Sequence, residues 1–358
     1  MDNSGKSLSS QSELFLRRHA ADINARWDEP WRAYHNLRHM YLMTDYIGSR
    51  LPSVKDDKDF PVFMGCFDIA ARMHDIVCEP GADDNEGKSV ELFLEWARGK
   101  LSRPSRDMVV RLVNATRSTL DQMAGDPLAS LFVKADWNGM MDWKTLDRSR
   151  MAFLDYWEEG IFKEYQKYPL KAYAEGRMKF LNNAYDNGMV ASAVVDYVRR
   201  RIESKVYRVG VYAGSFAPFH IGHLDILEKA MRMFDKVVVA RGVNPEKPQR
   251  ESNIKDVLKH VETGSYDGLL ADYLASVARG TGVRVQVTLI RGIRNGWDLQ
   301  QEFNLISFVK ERYERVMGRG TFDVALIPCD PSLAHVSSTA VRSLPPMEQI
   351  QYLPSYTI

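Results

Sequence analysis

At 358 residues with 45% hydrophobic side chains, the chain carries enough apolar material for two ordinary cores, which excludes a disordered or fibrous sequence. Lys and Arg number 48 against 47 Asp and Glu, a formal charge of +1, so no global field calls for nucleic acid. Cys66, Cys78 and Cys329 cannot all pair and lack CxxC spacing, which predicts reduced thiols and a cytoplasmic protein. The polar start Met1–Gln11 predicts no signal peptide, and no apolar run approaches the roughly 18 residues of a membrane span.

From residue 10 to residue 200 the pattern is helical, rich in Leu, Met, Ala, Arg and aromatics, with few strand-like alternations. Within it stand Tyr34-His-Asn-Leu-Arg-His39, Ala70-Ala-Arg-Met-His-Asp75, Asp84-Asn-Glu86 and Ala135-Asp136. His35 and His39 are four apart, so a helix would project both from one face. His74 and Asp75 close an apolar helical run, where adjacent side chains can converge. Mixed imidazole and carboxylate donors suit Fe, Mn, Zn or Mg with positions open to water. The stretches Met140–Trp143, Phe153–Trp157 and Arg232–Phe234 read as packing surfaces, and Arg199–Arg201 as a solvated helix end.

The helical pattern persists through Ala191–Glu203, and a first strand begins near Tyr207. A short charged boundary between Arg199 and Arg208 is expected, dividing the chain into 1–203, 204–345 and an irregular tail 346–358. Apolar runs at 206–212, 236–241, 283–290 and 322–327 read as parallel strands with helices between them. Ligands of such open sheets bind at the carboxyl ends of the strands.

The first run leads through a Gly-Ser turn to His220 and His223, which open a helix at Leu224. A phosphate there would meet free backbone N–H groups and the positive helix end, with both histidines as added donors. Gly222, lacking a Cβ, would let the backbone lie close to a ligand. This is chemistry for holding a nucleoside triphosphate while its α-phosphate is attacked. Asn244-Pro-Glu-Lys-Pro248 follows the second run. The third leads into Leu289–Phe303, which carries Arg291, Arg294, Asp298 and Glu302. Val336-Ser-Ser-Thr-Ala-Val-Arg342 follows the fourth. Every motif thus falls on one sheet edge. Trp297 reads as either packing or a lining of the nucleotide pocket.

These motifs, in this order, resemble the HxGH nucleotidyltransferases and, within them, phosphopantetheine adenylyltransferase, across about the whole second half. The resemblance implies a Rossmann-like α/β fold and transfer of AMP from ATP, as its Mg²⁺ complex, to 4′-phosphopantetheine, giving dephospho-CoA and pyrophosphate. It makes His223, His220, Lys247 and Arg291 the catalytic set. Gly214, Ser215, Phe216, Arg294, Asp298, Glu302, Ser337, Ser338, Thr339 and Arg342 become nucleotide- or substrate-binding residues. Two positions depart from it: Ala217 stands where the family usually has Asp, and His220 where phosphopantetheine enzymes often have Thr. The Ser-Ser-Thr-x-x-Arg string also occurs in nicotinate and nicotinamide mononucleotide adenylyltransferases, which supply the alternative acceptor.

The first half, with His…His-Asp…Asp, resembles the HD metal-dependent phosphohydrolases. Its strings Tyr34–His39, His74–Pro80 and Asn85–Ser89 are similar to one predicted subgroup, although Thr119 stands where that subgroup carries a His. The resemblance implies an all-α domain in which His39, His74, Asp75 and Asp136 hold a divalent metal (Fe, Mn, Zn or Mg). His35, Asn85 and Glu86 would stand behind them or touch substrate. The expectation is a two-domain bifunctional enzyme, with a nucleotide-sensing first half as the alternative. It would act on ATP and a phosphorylated small molecule, bind neither nucleic acid nor membrane, and form a homo-oligomer.

Overall fold

The structure, a computed structural model, describes residues 8–243, 251–318 and 321–357. The chain divides into two compact units, Met1–Tyr165 with Gly176–Arg200, and Gln166–Glu175 with Arg201–Ile358. A simple division at residue 203 therefore misses one feature: Gln166–Glu175 clusters with the second unit. Among the described residues no helix is long and apolar enough to cross a membrane. Cys66, Cys78 and Cys329 are free thiols.

The first unit is built from α1 (Leu8–Trp27), α2 (Leu37–Gly48), α3 (Phe60–Met73), α4 (Asn85–Ala97), α5 (Arg103–Ala115), α6 (Pro127–Asp136) and α7 (Arg148–Glu164), followed by α8 (Leu170–Asp186) and α9 (Ser192–Ser204), whose first and last turns respectively fall in the second unit. Polar side chains start several of them: Asn36, Ser102, Asp126 and Asp147 each accept a backbone N–H of the first turn. Apolar α3 forms the centre, with Phe63, Cys66, Ile69, Ala70 and Met73 fully buried against α1, α5 and α6. Such a helix, apolar nearly all round, is stable only when enclosed. It therefore delivers its C-terminal end, and the His74-Asp75 pair just beyond it, to the middle of the unit.

The second unit holds a parallel sheet, as the sequence leads one to expect of a Rossmann-like domain, here of five strands in the order β3-β2-β1-β4-β5. Its strands are β1 (Val206–Gly214), β2 (Lys236–Gly242), β3 (Glu262–Tyr266), β4 (Arg284–Ile293) and β5 (Asp323–Pro328). Register pairs Val211 with Val238 on one side and with Leu289 on the other. The central strands are covered on both faces, by α10 (Ile221–Met233) and α11 (Ile254–Val257) on one, and by α12 (Leu270–Arg279) and α13 (Gly296–Met317) on the other. Strand order reverses between β1 and β4, and a crevice opens there at the carboxyl edge. After β5 come α14 (Ser338–Ser343) and α15 (Pro346–Gln349).

Three expectations are corrected. A fifth strand, β3, joins the four expected, and α10 begins at Ile221, not Leu224. The tail 346–358, expected to be irregular, contains α15 and a 3₁₀ turn at Ile350–Tyr352.

Candidate active sites

In the second unit, β1 ends at Gly214 and the chain turns through Phe216, a non-glycine residue at φ 45°, a sparsely populated conformation that costs about 1–3 kcal/mol. The burial of its ring against Tyr212, Phe219 and His223 opposes that cost. A Cβ on Gly214 would lie 2.9 Å from the same ring, so glycine is required there by packing.

His220 then caps α10. Its Nδ1 accepts the Gly222 N–H at 3.2 Å, and His223 Nδ1 accepts the His220 N–H at 3.2 Å. The expected free amides at this helix start are therefore partly occupied by the histidines themselves. With both Nδ1 atoms accepting, each neutral ring carries its proton on Nε2 and becomes a donor there. The rings stack at 3.6 Å. Burial, then the charge of Arg294, lowers His220 to about 4. Burial, then His220 and Arg294, holds His223 well below its ordinary value. A Cβ on Gly222 would press on the His220 ring at 3.2 Å, so this glycine serves the histidine.

A cavity of about 260 Å³ sits on these residues. It gathers Gly214, Phe216, His220, His223, Arg291, Arg294, Asp298, Glu302, Ser337 and Ser338 from the expected set, with Tyr212 and Cys329 in addition. Arg291 donates Nε and Nη2 to Glu302 at 2.6 and 2.7 Å, and Nη1 to Ala213 O at 2.5 Å. Arg294 grips Asp298 through Nε and Nη2 at 2.7 and 2.9 Å. Asp298 and Glu302 lie one turn apart on α13 and reach the two arginines of β4 and its end. Ser337 caps α14, and Ser338 Oγ donates to Pro218 O at 3.0 Å. Four of the residues singled out in the sequence do not line this cavity: Ser215 is exposed, Arg342 donates to Ala217 O and to Thr339 Oγ1, which also stands off the cavity, and Trp297 is 73% exposed. Lys247 lies outside the described residues.

In the first unit, His39 of α2, His74 and Asp75 after α3, and Asp136 at the end of α6 converge, each offering one ligand atom within 4.8 Å of the others. His39 Nε2 and His74 Nε2 face each other at 3.2 Å. Asp136 Oδ1 lies 3.2 Å from the first and 3.5 Å from the second, and Asp75 Oδ2 lies 2.9 Å from His74 Nε2. His74 Nδ1 donates to Ala71 O at 2.8 Å, which leaves Nε2 as its ligating atom. Two buried imidazoles and two carboxylates, oriented from behind, are a donor set that fits a divalent cation. Burial favours neutral His39 and lowers it. His74 is also opposed by burial, yet Asp75 and Asp136 raise it well above its ordinary value. Burial works against charge on Asp136 too, but hydrogen bonds from His39 and His74 lower it to about 2.

His35 is not on α2, which begins at Leu37 behind the Asn36 cap. It is held by a residue with no sequence motif, Glu164 at the end of α7. Glu164 Oε1 accepts the N–H groups of Ala33, Tyr34 and His35 at 2.9, 2.7 and 2.7 Å, and Oε2 takes His35 Nδ1–H at 2.6 Å. Burial opposes charge on His35, but Glu164 outweighs it and raises the ring to about 9. Its Nε2 stands 3.9 Å from Asp75 Oδ2. Arg32, also without a motif, donates to the carbonyls of His35, Asp75 and Ile76 and so ties the two histidine segments together. Asn85 holds both backbone groups of Glu79, shaping the loop after Asp75. Glu86 is raised by burial, then by Asp75 and Asp136, and Arg117 pairs with Asp84 beside it.

A parallel sheet with a histidine-capped helix and a cavity at its switch point defines a nucleotidyltransferase domain, and the cytidylyltransferase-like family profile matches residues 211–262, the histidine turn included. Phosphopantetheine adenylyltransferase of Streptococcus gordonii is 30% identical over 159 residues, 42% of this chain and 92% of that protein. Those of Streptococcus sanguinis (30% over 159 residues, 42% and 92%) and Geotalea daltonii (40% over 107 residues, 27% and 62%) are similar. Through its C-terminal part the chain belongs to the phosphopantetheine adenylyltransferase family.

Proposed function

We propose that the second unit transfers the adenylyl group of Mg²⁺-bound ATP to 4′-phosphopantetheine, and that the first unit is a metal-dependent phosphohydrolase. For the transferase, the observation that carries the reading is the pair of neutral imidazoles with Nε2–H donors lining a cavity that also holds Arg291, Arg294, Ser337 and Ser338. A phosphate oxygen of the acceptor would attack the α-phosphorus as the bond to the β-phosphate oxygen breaks, releasing pyrophosphate. His220 and His223 would donate to the non-bridging oxygens as charge develops, the contribution that usually dominates such catalysis. Ser215, at the turn, would stand beside the acceptor phosphate, and Lys247 would join the phosphates.

For the hydrolase, His39, His74, Asp75 and Asp136 would hold a divalent cation, which would supply Lewis acidity toward a phosphate ester or anhydride. His35, fixed by Glu164, carries a proton close to that cluster and is placed to protonate a leaving oxygen. Glu86, raised above its ordinary value, is a candidate proton acceptor.

The test of the first reading is pyrophosphate release from ATP with 4′-phosphopantetheine or nicotinamide mononucleotide as acceptor. Turnover with the former is expected; turnover with the mononucleotide alone would replace this reading. For the second, metal analysis of the purified protein should find about one divalent ion per chain, lost in Asp75→Ala. Equal metal in both proteins would remove Asp75 from the ligand set.

A further inference from the structure

The turn that presents the two histidines is neither strand nor helix, so its peptide groups have no ladder to join. Buried carbonyls without partners are costly, and the partners these find are informative. Four consecutive carbonyls are each taken by a different side chain. Phe216 O accepts Ser252 Oγ at 2.6 Å, Ala217 O accepts Arg342 Nη1, Pro218 O accepts Ser338 Oγ at 3.0 Å, and Phe219 O accepts Asn253 Nδ2 at 3.1 Å. The Phe219 N–H donates to Asn253 Oδ1 at 2.7 Å, so one amide side chain closes on both backbone groups of the residue before His220. Ser252 and Asn253 precede α11, and Ser338 and Arg342 belong to α14, so the turn is gripped from two separate segments.

We infer that Asn253 is a positioning residue for adenylyl transfer, acting through the Phe219–His220 peptide on the two histidine rings, and that Arg342 works in the same cradle. Asn253 does not line the cavity. Its bond to Phe219 N–H and O fixes the peptide whose far end carries the His220 N–H, and that N–H is what holds His223 Nδ1. Loosening the amide frees the cap, and with it the rule that both rings carry their proton on Nε2. The cost falls on alignment at the α-phosphate. Nucleotide affinity, set by groups elsewhere in the cavity, stays. Misplacement of this kind by about 1 Å can cost on the order of 100-fold in rate.

The kinetic arm of the test rests on the adenylyltransferase reading above; the spectroscopic arm does not. Asn253→Asp keeps the acceptor for Phe219 N–H but turns a carboxylate oxygen toward Phe219 O, at almost no change in shape. In the full-length protein, kcat for pyrophosphate release should fall by about 10- to 100-fold while KM for ATP stays within about twofold. ¹⁵N-histidine spectra should show His220 and His223 as Nε2–H tautomers in the unaltered protein and as a mixture in the variant. Unchanged tautomers with unchanged kcat would overturn the inference, as would a KM for ATP that rises in step with the loss of rate, the mark of a direct nucleotide contact. Should Asn253→Asp not fold, Ser252→Ala removes a single donor and should show the same split more weakly; its absence there counts equally against the inference. If the unaltered protein releases no pyrophosphate, the functional reading fails and the tautomers alone decide.

Discussion

Glu164 shows how much of a site can hang on one side chain. A single carboxylate closes three successive amides and an imidazole while only 1% exposed. In Glu164→Gln the amide nitrogen would face His35 Nδ1, and the charge that sustains the imidazolium would be gone. We expect a loss of about 2–3 kcal/mol of stability, read by far-UV circular dichroism in denaturant, and a His35 ring that titrates well below about 9. A variant whose His35 still titrates there would show that other groups hold the charge. Nothing in the sequence marks Glu164: its partners lie 129–131 residues away, and Phe-Lys-Glu-Tyr is an ordinary helix end. The convergence of His39, His74, Asp75 and Asp136 was legible only through the His…His-Asp…Asp pattern that carries the resemblance, since no one of the four is marked on its own. Asn253 and Arg32 were not, since they act on backbone, and a backbone partner leaves no trace in side-chain spacing.

At the level of elements, legibility followed burial. β1, β2 and β4 run through the middle of the sheet and read as apolar runs, whereas β3 is an edge strand written Glu-Thr-Gly-Ser-Tyr, without apolar alternation to betray it. The start of α10 was misplaced because histidine is an unusual cap, and the capping box exists only once its two rings are seen to face the backbone. Helix pairing in the first unit also carries a pH dependence. The His19 ring of α1 stacks on Trp96 of α4 at 4.8 Å and accepts from Lys100 Nζ at 3.1 Å. Burial, then Lys100, lowers its pKa from 6.5, with Asp22 as the opposing influence and Arg18 a further cation. The neutral form is thus the one the fold prefers. Its contribution is complete above pH 6.5 and declines as acid protonates the unfolded chain first. His19→Phe keeps the stack and removes the titration. Between about pH 8 and pH 5.5 the unaltered protein should lose more thermal stability than this variant, the remaining histidines being common to both. Parallel losses would exclude His19 as the cause.

For the molecule as a whole, the surprise is the path of the chain. Composition and pattern suggested two units in tandem, joined once, and the helical signal running on to residue 203 gave no sign of an interruption. Yet Gln166–Glu175 belongs with the sheet. The residue that explains this is Lys236, 2% exposed at the start of β2. Its ammonium donates to Gln166 O at 2.7 Å and Tyr168 O at 2.8 Å and pairs with Glu262 at 2.9 Å. A lysine heading an apolar strand looks like a solvent-facing strand end in sequence; here it is buried, and carbonyls from a distant segment make that burial tolerable. During synthesis, the stretch 166–175 leaves the ribosome before any strand of the sheet exists, and must wait for Lys236 to follow. The sheet in turn inherits a piece made ahead of it. Two units written one after the other in a gene are, in this chain, sewn together by a stitch that doubles back, so that neither can be lifted out by a single cut.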